Sequence, residues 1–223
     1  MDIGRVLNES IEYAKDAVWG KWARWILLII ASIIFPLIMG YELEVYRGKK
    51  PAPEPENWGK LFIDGIKLLI IQIIYLIPTF IVLFLSIGAA VLAVRSPTAA
   101  MGLWGTFAAG IIITLVVAFI TSLFASMGFI RFARTDSMGE AFNFTAIIDR
   151  IGKIGWGSYI FALIVVAVVA GIIGLILSAI PFIGFLLVLI AAPALTIFSA
   201  RYITLVYDSV PEAPAQAGAA PSA

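Results

Sequence analysis

The sequence predicts an all-α integral membrane protein with four transmembrane helices, an N-terminal re-entrant helical hairpin and interfacial amphipathic helices. Three observations predict it. Hydrophobic residues make up 62% of the chain and charged residues 13%, where a soluble domain has about 45–50% and about 25%. Several apolar stretches reach the roughly 20 residues that cross a hydrocarbon core of about 30 Å, and mean hydropathy is +1.05. The 15 lysines and arginines all avoid the middles of those stretches.

Residues 1–21 open the chain as an amphipathic helix. Ile3, Val6, Leu7, Ile11, Ala14 and Val18 recur at helical spacing against a polar face, which suits a helix lying in the membrane interface. The membrane domain is expected over 22–207. Its first piece, 22–46, has an apolar part of only about 15 residues, short of a full span, and Pro36 interrupts it. A kinked single span and a hairpin that dips in and returns both fit. Alternating Pro51, Pro53 and Pro55 then make a stiff connector. Spans follow at about 68–94, 103–130, 159–180 and 185–207. Between the second and third, Ser137 and Glu140 have capping-box spacing, and an interfacial helix is expected over 137–154. Pro181 and Gly184 mark a tight turn. Residues 208–223, rich in proline and alanine, read as a disordered tail.

Charge decides between the two schemes for 22–46. Lysine and arginine favour the cytoplasmic side in short loops. Five alternating spans divide the basic residues 5 against 10; four spans plus a hairpin divide them 14 against 1, with only Arg95 opposite. The hairpin scheme is therefore preferred, with five spans as the alternative. It places the protein in the cell membrane with both termini cytoplasmic. Trp19, Trp22, Trp25, Trp58 and Trp156 would then form one interfacial belt, with Trp104 at the other surface.

A weak internal repeat agrees with this scheme. Met39-Gly40-Tyr41, a polar stretch and Phe62 to Lys67 resemble Met127-Gly128-Phe129, a polar stretch and Ile147 to Lys153. The opening Met1-Asp2-Ile3-Gly4, the turn from Pro36 to Tyr41, the run from Trp58 to Lys67 and the turn Ile180-Pro181-Phe182-Ile183-Gly184 carry a wider likeness. On these residues the chain resembles an archaeal integral membrane family known as domain of unknown function four-zero-one-three, up to about Tyr207. The resemblance implies a multi-span membrane protein and no particular activity.

Little chemistry is legible. The chain has no cysteine and no histidine, which removes thiol nucleophiles, disulfides and His/Cys metal sites. A net charge of +1 gives no reason to expect nucleic acid. Gly157-Ser158 does not fit a nucleophile elbow, and Gly152, Gly155 and Gly157 miss the dinucleotide-binding spacing. No ionisable side chain falls inside a span, where functional ones are costly and kept for a reason. Asp64 and Asp149 read as solvated faces or caps. No catalytic, cofactor or metal residues are assigned. The expected role is a non-enzymatic membrane scaffold or accessory protein, with membrane lipids and either another membrane protein or a second copy as partners. Lys21, Arg24, Lys49 and Lys50 are the candidate contacts to anionic lipid. Gly105 and Ala109, with Ala170, Gly174 and Ser178, are the candidate helix-packing positions. The alternative is a small transporter or channel for an uncharged or amphiphilic solute, using Gln72 or Thr79 beside the helix-breaking Pro78 and Pro193.

Overall fold

The computed structural model describes residues 1–94 and 100–211. The helices are α1 (Ile3–Val18), α2 (Trp22–Ile33), α3 (Phe35–Tyr46), α4 (Trp58–Val94), α5 (Ala100–Thr135), a 3-10 turn (Met138–Phe142), α6 (Phe144–Ile154), α7 (Trp156–Ser178) and α8 (Gly184–Tyr207). There is no strand among the described residues. Four helical segments are long and apolar enough to cross a membrane: Trp58–Leu92, Phe107–Thr135, Trp156–Ser178 and Gly184–Tyr207. The four-span expectation is met. Arg95 and most of the expected tail lie outside the described residues.

The fifth candidate segment is two helices of 12 residues each, with the break at Ile34 (φ −94°, ψ 83°). Each is about 18 Å long at 1.5 Å per residue, too short to cross. Pro36 explains the break. It has no N–H for the carbonyl four residues back, and its ring collides there, so a helix cannot run through it. In the first turn of α3 the missing donor is not needed. Trp25 ties α2 to α8 by donating its indole N–H to the Ile190 carbonyl at 2.9 Å.

α1 turns its buried stripe, Ser10, Tyr13, Ala14, Ala17 and Val18, inward, where Glu9 meets Arg201 of α8. Its apolar face is thus largely used within the protein, while Ile11 and Trp19 stay exposed. α3 crosses α4 with almost no side-chain spacer. A Cβ at Gly40 would lie 1.8 Å from the Leu61 carbonyl oxygen, and one at Gly65 only 1.7 Å from that of Pro36. Only glycine permits such an approach. Among the remaining glycines, Gly155 (φ +92°) separates α6 from α7. No such break interrupts α4, which runs from Trp58 to Val94 as one helix.

α4 and α5 form an antiparallel pair. Ser86 lies beside Gly110, Thr79 Oγ1 is 3.4 Å from Thr121 Oγ1, and the Tyr75 and Phe129 rings meet edge to face at 6.0 Å. α7 and α8 form a second pair around the turn at 179–183. Tyr159 joins the pairs by donating to the Leu123 carbonyl at 2.5 Å, with its oxygen 2.6 Å from Ser126 Oγ. Burial follows the same asymmetry. In α4 it falls on Leu61, Asp64, Leu68, Ile71 and Tyr75, in α7 on Tyr159, Ala162, Leu163 and Val166, and in α8 on Pro193 and residues beyond. Toward the opposite ends, only Ala90, Gly110 and Gly184 of these helices are buried among the described residues.

Candidate functional site

The charged residues gather where the buried ends meet. Arg47, just past α3, donates to Glu44 at 2.5 Å, to Asp64 of α4 at 3.0 Å and to Asp136 beyond α5 at 3.0 Å. Lys60 donates to Glu44 at 2.8 Å, and Lys49 pairs with the same carboxylate. Arg134 of α5 holds Asp208 past the end of α8 at 2.9 Å and donates to the Tyr46 carbonyl at 3.0 Å. Arg150 of α6 donates to the carbonyls of Tyr207 at 2.5 Å and Val210 at 2.8 Å, with its guanidinium 4.1 Å from the Tyr207 ring centre. It thereby serves carbonyls that a helix C-terminus leaves without donors. Arg201, 2% exposed, pairs with Glu9 at 3.1 Å and lies 4.8 Å from the Tyr13 ring centre. These bonds tie α1, α3, α4, α5, α6 and α8 together at one end, so basic residues from four stretches of sequence share one side of the protein.

The network sets the protonation of its carboxylates. Burial by itself would raise the Glu44 pKa, but hydrogen bonds from Lys49 and Lys60 and the charge of Arg47 outweigh it and hold the group at about 2. Glu42, one turn before Tyr46, moves the other way. Burial raises it to about 7, although the Tyr46 hydroxyl donates to it at 2.6 Å. Two carboxylates two residues apart thus differ because one has cations and the other has only a phenol.

The four candidate lipid contacts fare differently. Lys21 is exposed and donates to the Asp16 carbonyl at 2.8 Å. Lys49 and Lys50 are exposed but paired, with Glu44 and Glu9. Arg24 is buried and paired with Glu54, which corrects its reading as a headgroup contact: its charge is spent inside the protein. The candidate packing residues also separate. Gly105 and Ala109 are exposed beside a groove over α4 and α5; the close approach in this pair is one position on, at Gly110 against Ser86. Ala170 and Gly174 are half-buried, Ser178 is exposed, and a Cβ at Gly174 would meet nothing within 4 Å. The tightest approaches are instead at Gly40 and Gly65, and next at Gly128, which faces the Ala141 carbonyl and Tyr75 hydroxyl.

Two further expectations need correction. Asp64 is not a solvated face: it is 4% exposed and bound to Arg47, whereas Asp149 is exposed and pairs with Lys153 at 2.7 Å. Ser137 makes no capping bond to the 3-10 turn. Glu140 is drawn off by Arg131, and the cap of α6 is Asn143, which accepts from the Ala146 N–H at 3.2 Å.

Several cavities border this end, among them two whose walls are mostly uncharged. One, of about 590 Å³, is apolar and lies between α1, α2, α7 and α8, with Trp19, Trp25, Val169 and Phe198 in its wall. The other, of about 230 Å³, lies between α3, α4, α5 and α8. It carries no charged side chain: Tyr46, Gln72, Tyr75, Thr121, Ser122 and Ser126 supply polar groups, while residues such as Leu76, Phe129 and Ile203 make most of its exposed surface apolar. From sequence, Gln72 and Thr121 stand out as polar residues within spans, and Ser122 and Ser126 as small residues at packing spacing. Their meeting with Tyr46 and Tyr75 does not, because these come together only when α3 and α5 pack on α4.

Together these features define an all-helical protein with four helices able to cross a membrane and its charge collected at one end, as in multi-pass membrane proteins. A family model described as protein of unknown function (DUF4013) matches residues 25–182. The chain belongs to that family. The match runs from within α2 through α7 and omits α1 and all of α8. No curated protein and no solved structure matches the chain.

Proposed function

We propose that this protein is a non-enzymatic membrane scaffold that engages one leaflet with its charged end and other transmembrane helices with its uncovered spans. The carrying observation is the asymmetry of packing. Phe84 is 69% exposed, Leu175 70% and Phe185 82%, while the charged ends are interlocked. Apolar faces of that size suit lipid and neighbouring helices. In this reading the protein sits in the cell membrane with both termini cytoplasmic. The α2–α3 hairpin re-enters the cytoplasmic leaflet on exposed Ile26, Ile30 and Ile33, and Lys21, Lys49 and Lys50 meet anionic headgroups. The groove beside Gly105 and Ala109 receives a helix of a second copy or of another membrane protein.

Because the chain lacks cysteine, single cysteines test both parts. Placed at Lys50, Ser96 and Val210 in intact cells, only position 96 is expected to react with an impermeant maleimide from outside; labelling at 50 overturns the hairpin. A cysteine at Ala109 is expected to give one discrete cross-linked species in native membranes, and a cysteine at Phe84 none. Equal yields at both positions, or none at Ala109, overturn the helix-binding groove.

A further inference from the structure

We propose that the cavity between α3, α4, α5 and α8 binds a neutral molecule carrying hydroxyl groups, of the glycerol type. Its volume of about 230 Å³ is several times the share of one water, roughly 30 Å³. No Asp, Glu, Lys or Arg lines it, so a charged ligand would lose its hydration with no opposite charge to replace it. The hydroxyls around it have already placed their protons. Thr121 donates to Ala118 at 2.9 Å, Ser122 to Phe119 at 2.7 Å, Tyr75 to Ala141 at 2.5 Å and Tyr46 to Glu42 at 2.6 Å. A hydroxyl whose proton is committed still accepts through its oxygen. The polar part of the wall therefore presents acceptors amid a larger apolar surface, and the complementary ligand is a neutral donor.

Gln72 points to the same ligand independently. It is half-buried in the cavity wall on α4, and its amide makes no hydrogen bond among the described residues. An amide without a partner at this depth is unfavourable, and in helix packing it would be expected to bond across to α5. A hydroxyl ligand satisfies both its N–H₂ and its C=O. The glycerol end of a neutral lipid and a free polyol carry this chemistry equally.

The test uses the full chain in detergent, with 1,2-dioleoylglycerol followed by native mass spectrometry and glycerol followed by saturation-transfer NMR. Wild type is expected to bind one of the two probes. Gln72→Leu is expected to weaken that binding about three- to tenfold, the effect of losing a neutral hydrogen bond, and to raise the unfolding temperature, because the unpartnered amide is gone. Thr121→Val, which keeps shape and removes an acceptor, provides a second reading if the leucine variant does not fold. A dioleoylglycerol adduct identifies the lipid source and glycerol transfer alone the free polyol. Unchanged binding in the variants, or no binding of either probe, overturns the proposal. A fall in stability for Gln72→Leu overturns it as well, since an amide that only joins helices behaves that way.

Discussion

At the charged ends of α4, α5, α7 and α8, side chains and even backbones interlock around Gly40, Gly65 and Gly128. At the opposite ends the same helices leave Phe84, Leu175 and Phe185 bare. The difference teaches where the folding free energy sits. Lipid tails are as apolar as leucine, so helix surfaces within the hydrocarbon gain little by touching each other. Near the headgroups, water, ion pairs and close backbone packing all reward contact. The two hairpins accordingly join at Tyr159, Ser126 and the arginine network rather than along their lengths.

The sharpest way to break this contrast is to add one methyl group at each end. Gly65→Ala and Gly40→Ala force the α3 and α4 backbones apart and are expected to cost about 3 kcal/mol or more, beyond ordinary overpacking. Gly174→Ala, in open space, is expected to stay within about 0.5 kcal/mol of wild type. Unfolding of the purified protein in detergent distinguishes them, and equal losses at both ends would remove the contrast.

Next in size is Glu9→Gln. It strands the Arg201 guanidinium, and leaving a buried charge unpaired costs about 3 kcal/mol, reduced by the remaining Tyr13 ring contact. A double-mutant cycle with Arg201→Met measures the coupling, and no coupling would mean that α1 is held by apolar contact alone.

Acid and base act on the same end through two neighbouring carboxylates. Glu44, held at about 2 against an ordinary 4.5, contributes stability that is present above pH 4.5 and lost as pH falls toward 2. Glu42, raised to about 7, binds its proton more tightly folded than unfolded, so stability falls as pH rises from 4.5 through 7. Thermal unfolding is therefore expected to show a maximum on the acid side of neutrality. Glu42→Gln should flatten the limb above it and Glu44→Gln the limb below it; a profile unchanged in both variants would show that these groups are solvated. The smallest effect is expected from the exposed Lys153–Asp149 pair, where Asp149→Asn should change stability by no more than about 0.5 kcal/mol. A larger loss would extend the interlocked region onto the outer face of α6.

The hydrophobic lengths of the four spans and the break at Pro36 were legible because each depends on residues close in sequence. The gathering of charge at one end agrees with the count of lysine and arginine between spans, which favours a hairpin over 22–46. The site was not legible. Asp64 looks like a surface residue until Arg47 reaches it across 17 positions. Arg24 looks like a headgroup contact until Glu54 takes its charge. Gly105 and Ala109 have the expected small-residue spacing, yet the helix pair closes on Gly110, because contact depends on the rotation of one helix against another and not on spacing alone.

By itself the sequence determined which segments are long and apolar enough to cross a membrane, because transfer into hydrocarbon depends on residue type and length. It also determined that the charges lie outside the middles of those segments, because ionised groups are costly there. Only the tertiary structure decided which charges are spent on one another, which glycines let backbones touch, and that Tyr46, Gln72 and Thr121 enclose one cavity. Those outcomes depend on distances between helices, and a one-dimensional pattern holds no record of them.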